Sequence, residues 1–259
     1  MQVFAFNLSP FRFNLSAYLT VWPFNKKTTI AASGTLAGAA DHHSHILPGV
    51  DDGVESMDEA LRILATYETL GIKELWLTPH IMEDNPNTPQ KLKARFDELK
   101  AAYTGTVELH LAAEYMIDNN LRKLLNDNKE LLSIGDGGKH ILVETSYYNA
   151  PIRMNETLQQ IKSMDYFPLL AHPERYMYLD NEEYLKLHNA GVKFQLNLAS
   201  LASGYGTTAK KKASWLLSNG MYSVAGSDLH SEDAIEFITK CNLDKQTIEQ
   251  VERLLHSSI

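Results

Sequence analysis

Thirteen consecutive residues constrain this 259-residue chain more than any other stretch. From Asp41 to Gly53 it reads Asp-His-His-Ser-His-Ile-Leu-Pro-Gly-Val-Asp-Asp-Gly, gathering three imidazoles and three carboxylates ahead of an Asp-Gly turn. The small apolar run before it reads as a buried strand. Strand alternation then points His43 and His45 to one side, where two neutral imidazoles can hold one divalent cation. Asp52 returns toward them from the turn, while His42 has the opposite alternation and reads as structural. An isolated H-x-H can equally be packed into a core. Here it is accompanied by Thr78-Pro79-His80, Ala112-Ala113-Glu114, Ala171-His172-Pro173-Glu174-Arg175 and Gly226-Ser227-Asp228-Leu229-His230. Each follows a hydrophobic, strand-like run, and that recurrence points to metal ligation.

Composition narrows the function classes. A net charge of -8 and a pI near 5.7 argue against nucleic acid or an anionic membrane as partner, although a local metal cluster still attracts anions. The lone Cys241 cannot form an intrachain disulfide, which fits a reducing cytoplasm. Cysteine-dependent phosphatases share a C-x5-R loop, and the position six after Cys241 is Thr247, so a thiolate nucleophile is not indicated. Pro10 and Pro23 interrupt the aromatic-rich start, which speaks against a transmembrane segment there. Residues 1–36 read as an N-terminal extension, partly flexible, with translation beginning near Val21 as an alternative.

From residue 37 to 259 strand-like and helix-like patterns alternate, the mark of βα units in one domain. Strands are expected at 39–47, 74–78, 107–113, 140–145, 167–171, 193–198 and 222–225. Helices are expected at 57–70, from 89, at 119–127, 154–164, 181–190, 207–219 and 244–256. Ser56 with Glu59 reads as a capping box, and Thr88-Pro89 as a cap followed by a first-turn proline. Seven such units with polar residues at the strand ends suggest an α/β fold related to the TIM barrel, with its active site at the C-terminal face.

The ordered set H-x-H, D-D-G, T-P-H, A-E, A-H-P-E-R and S-D-L-H resembles the PHP superfamily of metallo-phosphoesterases. Within it the chain is most similar to the bacterial CpsB/CapC/YwqE-type tyrosine-protein phosphatases, over about residues 41–255. The resemblance implies a distorted (β/α)7 barrel and two or three divalent metal ions. Manganese is the first expectation, with iron, zinc or magnesium also compatible with mixed imidazole and carboxylate ligands. It further implies that His43, His45, Glu114 and Asp228 hold a first ion. Glu114 would bridge to a second that also uses His172, and Asp52, His80 and His230 would hold a third. A bridging carboxylate keeps two cations about 3.5–4 Å apart, and a water they share loses its proton near neutral pH to become the attacking hydroxide.

Arg175, three residues after His172, suits a phosphate clamp, because its planar fork can bind two phosphoryl oxygens. Arg175 and Asp228 are therefore the catalytic candidates, and Arg175 the substrate-binding one. Asp41 is read as a residue that orients a ligating histidine. One departure stands out: such phosphatases often carry a basic residue soon after S-D-x-H, whereas Ser231-Glu232-Asp233 follows here. Arg153 and Lys139 are candidate replacements, and Tyr147, Tyr148, Tyr176 and Tyr178 candidate walls for a phenyl ring.

The implied activity is metal-dependent hydrolysis of phosphotyrosine on a protein substrate, the tail of a bacterial tyrosine kinase that controls capsule or exopolysaccharide synthesis. The implied location is cytoplasmic, with recruitment to the inner membrane face by the partner, and assembly into a homo-oligomer is compatible with it. Two rival readings stand beside it: a histidinol-phosphate or other small-molecule phosphoesterase, and a non-catalytic, metal-stabilised regulator.

Overall fold

The computed structural model describes residues 27–135 and 137–259. The aromatic leader and the start expected near Val21 lie outside them. In chain order the elements are β1 (Thr28–Thr29), α1 (Ile30–Ser33), β2 (Ala40–Ser44), α2 (Met57–Leu70), β3 (Glu74–Leu77), β4 (His80–Ile81), α3 (Pro89–Ala102), β5 (Glu108–Leu111) and β6 (Glu114–Met116). They continue with α4 (Asn119–Asn126), β7 (His140–Glu144), α5 (Met154–Ser163), β8 (Phe167–Ala171), a 3-10 turn (Pro173–Arg175), α6 (Asn181–Asn189) and β9 (Lys193–Asn197). The chain closes with α7 (Leu198–Leu201), α8 (Gly206–Ser218), β10 (Val224–Gly226), α9 (Glu232–Thr239), β11 (Asn242–Leu243) and α10 (Lys245–Leu255).

Local chemistry accounts for the boundaries. Ser56 accepts the Glu59 N–H to start α2, and Gly71, at φ 81°, closes it. Thr88 caps α3 with Pro89 in the first turn, and Asp180 with Glu183 forms a complete capping box on α6. The box expected at Ser56 is only half present. The Glu59 carboxylate instead accepts the Glu232 N–H at 3.3 Å, at the start of α9. The segment after His230, where no helix is expected, thus opens a helix whose first-turn Glu232 and Asp233 suit the positive end of its dipole. Glu232 also pairs with Arg62 on α2 at 2.9 Å, so it turns to the outside of the fold.

All seven expected strands are present, and past two of them the chain resumes as a short extra strand. One parallel sheet runs β10-β9-β8-β7-β6-β4, and a second runs β2-β3-β5. Pro79, which has no N–H to donate, separates β3 from β4, and Ala112-Ala113 separate β5 from β6. The halves stay joined by Ala112 N–H to Leu77 O at 2.8 Å and Glu114 N–H to Thr78 O at 3.2 Å. At the far side the chain after β10 returns to β2, with Asp228 N–H on His43 O at 2.8 Å and His45 N–H on Leu229 O at 2.9 Å. The result is a mixed α/β fold with a curled parallel sheet.

Strand alternation divides the core. Ile141, Val143 and Leu170 face the helices in the large apolar cluster, while Leu142, Leu169, Ala171 and Val224 face inward with Trp76, Ala112 and Ile134. Both faces are buried, as parallel sheets require, and each fully buried aliphatic side chain contributes roughly 1.5–3 kcal/mol. Ile30 of α1 is also fully buried, and β1 pairs antiparallel with β11.

Gly226 marks a close approach of β10 to β2 in the curl. A Cβ there would meet the His43 Cβ at 2.6 Å and its backbone N at 2.8 Å. Gly226→Ala should therefore destabilise the protein by ~1–3 kcal/mol in urea unfolding. Gly137→Ala, where the nearest atom is Lys139 Cγ at 4.0 Å, should change stability by less than ~0.5 kcal/mol. Equal effects would refute the close-packing account.

Candidate metal centre

The curl brings the C-terminal ends of the strands together, and the polar residues the sequence places there converge. His43 and His45 come from β2 and its end, His80 from β4, Glu114 from β6, and Glu144 from the end of β7. His172 follows β8, and Asp228 and His230 follow β10. Four groups can each bring ligand atoms within 4.8 Å of one another: His43, His45 and Glu114; His43, His172 and Asp228; His80, Glu114 and Glu144; and His45, Asp52, His80 and His230.

The hydrogen-bond network assigns the ring tautomers. Gln195 Oε1 accepts the His172 N–H at 3.2 Å, which identifies it as the amide oxygen, and His43 Nδ1 lies 2.9 Å from that same oxygen. The hydrogen is therefore on Nδ1, and His43 Nε2 presents a lone pair. His45 Nδ1 is 2.8 Å from Asp51 Oδ2. Desolvation opposes the Asp51 charge, but His45 and His80 outweigh it and hold the carboxyl at about 2, so Nδ1 donates here as well. With both rings neutral, two bare Nε2 atoms would thus face each other at 3.1 Å. They repel unless a positive charge lies between them. Glu114 Oε2 is 3.3 Å from both, and Asp228 Oδ1 is 3.4 and 3.5 Å away. One proton can serve two atoms, whereas four converging donors suit a divalent cation.

Glu114 is the shared group. Its carboxylate lies 3.1 Å from His172 Nε2 through Oε1 and 3.2 Å from His80 Nδ1 through Oε2. His80 Nδ1 is also 3.1 Å from Glu144 Oε1. Despite these approaches, His80 Nδ1 and Glu114 Oε2 have no hydrogen-bond partner among the described residues. An unpartnered buried polar atom costs ~1–3 kcal/mol, so donors directed at one another without hydrogen-bond geometry fit a site built for metal ions. On the outer side, Asp52 Oδ1 lies 3.4 Å from His80 Nε2 and 3.6 Å from His230 Nε2, and His230 Nδ1 is 2.8 Å from the Asp228 carbonyl.

Asp228 faces two ways. Its Oδ1 looks toward His43 and His45, while Oδ2 accepts Arg175 Nη1 at 2.7 Å and Asn197 Nδ2 at 2.8 Å. Both His172, at φ 33°, and Asp228, at φ 53°, sit in the left-handed region, a strain that non-glycine residues sustain where function requires their placement.

All eight residues expected as ligands, with Arg175, meet at this centre. Several neighbours differ from expectation. Asp41 orients no imidazole; it accepts the Ser227 N–H at 2.8 Å and the Tyr67 hydroxyl at 2.7 Å, tying β2 to the loop after β10. The orienting role falls to Asp51 and Gln195. Lys139 pairs with Asp165 before β7, at the opposite end of that strand, and Arg153 pairs with Glu156 at 3.7 Å. Tyr176 is fully buried, with its hydroxyl accepting the Thr145 N–H, so it forms no substrate wall. Glu144, Gln195 and Asn197 were not anticipated. Their signal is a polar side chain in a strand buried on both faces, at its C-terminal end for Glu144 and Asn197 and in its middle for Gln195.

Comparison with known proteins agrees with this geometry. Residues 39–250 match the family described as capsular polysaccharide synthesis, CpsB/CapC. The chain belongs to the CpsB/CapC family. Tyrosine-protein phosphatase CpsB of Streptococcus pneumoniae is 29% identical over 213 residues, covering 75% of this chain and 84% of the relative. Tyrosine-protein phosphatase YwqE of Bacillus subtilis strain 168 is 27% identical over 208 residues, covering 77% and 80%. A solved structure from work on YwqE and CpsB, described as unique metal-dependent tyrosine phosphatases, superposes with a TM-score of 0.68 at 22% identity. It covers 83% of this chain and 86% of its own, and at that identity it speaks for the fold.

Burial opposes a positive charge on His43, yet the Glu114 and Asp228 carboxylates outweigh it, and the imidazole is pushed up to about 9. Below that pH an entering cation must displace a proton. Affinity for Mn2+ should therefore rise with pH toward about 9 and level off above it, with protons released to the buffer. Calorimetric titration in two buffers of different ionisation enthalpy checks this, and identical heats at pH 7 would contradict it.

Proposed function

We propose that this chain is a metal-dependent protein-tyrosine phosphatase, a phosphoric monoester hydrolase acting on phosphotyrosine. One observation carries the reading: the buried Glu114 carboxylate stands among His43, His45, His80 and His172 at 3.1–3.3 Å without completing its hydrogen bonds. The phosphatase names borne by CpsB and YwqE support it. On this reading His43, His45, Glu114 and Asp228 hold one divalent ion, and Glu114 with His172 holds a second; Glu144, 3.1 Å from His80 Nδ1, is a further carboxylate beside Glu114 and His80. Asp52, His80 and His230 hold a third. Manganese is the proposed ion. The two sheets are read as one distorted (β/α)7 barrel, closed by the bridge between Ser44 and Leu229.

Ions held there supply Lewis acidity and a lowered water pKa. The protein's own groups do the positioning. Asp51 and Gln195 fix the His45 and His43 rings, so that Nε2 faces inward on each. Asp228 accepts one Arg175 N–H through Oδ2, leaving the others for phosphoryl oxygens. The guanidinium stabilises negative charge as it moves toward the leaving oxygen, without forming a covalent phosphoenzyme.

The proposed substrate is a phosphorylated tyrosine segment at the tail of a bacterial tyrosine kinase in capsule or exopolysaccharide synthesis, met in the cytoplasm at the inner membrane face. Among the described residues no helix is long and apolar enough to cross a membrane. Self-association into a homo-oligomer belongs to the same proposal.

The test is phosphate release from a phosphotyrosyl peptide and from histidinol phosphate, each with and without Mn2+. Metal-dependent turnover of the peptide alone is expected. Turnover of histidinol phosphate alone, or none on either with metal bound, would overturn the substrate assignment. His172→Ala should reduce peptide turnover by at least ~100-fold while leaving the far-ultraviolet circular dichroism of the fold intact. Unchanged turnover would remove His172 from the centre.

A further inference from the structure

The Arg175 guanidinium is enclosed on more than one side. Its Cζ lies 4.4 Å from the centroid of the Tyr147 ring and 3.9 Å from that of Tyr205. The two tyrosines come from different loops, Tyr147 after β7 and Tyr205 just before α8, so separate parts of the fold meet at one cation. Tyr147 is itself braced: its ring stacks on the fully buried Tyr176 at 6.1 Å and 23°. Tyr205 forms the outer wall. Its hydroxyl lies 3.2 Å from Asn197 Nδ2, and Asn197 also holds Asp228.

We propose that Tyr147 and Tyr205 are positioning residues that fix the Arg175 guanidinium between two aromatic faces, so that it meets a phosphoryl group already aligned. This inference rests on the phosphatase reading and assigns the pair a role in it. A free arginine loses much rotamer freedom when it binds an anion, and one already stacked and bonded to Asp228 has little left to lose. Contact with two rings also restrains the fork, on whose placement bidentate recognition depends. The hydroxyls are secondary on this account. What matters is the ring.

The probe is orthophosphate, titrated calorimetrically into the Mn2+-loaded full chain. Tyr147→Leu and Tyr205→Leu should each weaken binding roughly tenfold, the equivalent of ~1.4 kcal/mol, whereas Tyr147→Phe and Tyr205→Phe should stay within about twofold. In an Arg175→Ala background the leucine substitutions should cost nothing further, because the residue they act through is gone. Wild-type binding by the leucine variants would overturn the proposal, as would the same tenfold loss without Arg175. Should Tyr147→Leu fail to fold, the half-exposed Tyr205 decides alone. Wild-type phosphate binding by Arg175→Ala would remove the clamp itself, and the proposal with it. Absence of peptide turnover with this binding pattern intact would instead remove only the substrate assignment.

Discussion

A buried carboxylate among four imidazoles is the interaction on which the rest of this structure depends. Glu114 is 1% exposed, and its oxygens lie 3.1–3.3 Å from ring nitrogens of His43, His45, His80 and His172. An uncompensated buried charge costs ~3–5 kcal/mol, so a fold that holds Glu114 in this way requires positive charge around it. Protonated imidazoles supply some, and divalent ions supply it with more of the available donors engaged. The same electrostatics makes the centre attract cations.

Backbone irregularity delivers the groups. Pro79 interrupts the strand that continues to His80, and Ala112-Ala113 interrupt the one that continues to Glu114. The two short segments after the breaks, β4 and β6, then pair in register, His80 opposite Glu114. Had both strands run on unbroken, alternation alone would have set which face each side chain occupied. His172 and Asp228 reach the centre through left-handed backbone instead. Around them, Glu174 anchors the arginine-bearing turn from below, accepting the Asn197 N–H, the Ser200 hydroxyl and the Tyr222 hydroxyl. Burial raises its pKa, against the pull of those donors.

Much of this was legible in the sequence because each candidate ligand but Asp52 lies at or just past a run of buried strand residues, where a polar side chain has to be explained. The seven strands and the helices with clear caps could be read in the same way. The residues left unread were those whose role depends on a distant partner. Asp51 looked like half of a turn until it met His45, and Gln195 resembled any strand glutamine until it contacted His43 and His172. The carboxylate of Glu144 carried the same strand-end signal as Glu114, without a flanking motif to draw attention to it. The helix after His230 went unread for a local reason: it has only eight residues and no side-chain cap, which leaves little periodicity to read.

The central claim is that Glu114 organises a cluster of divalent ions. Equilibrium dialysis against Mn2+, followed by elemental analysis of the retained metal, tests it most directly on the full chain and on Glu114→Gln. That substitution keeps the volume and removes the charge. The account predicts two or three ions per chain in the wild type and at most one in the variant. Equal metal content in both, or none in the wild type at saturating Mn2+, would contradict it.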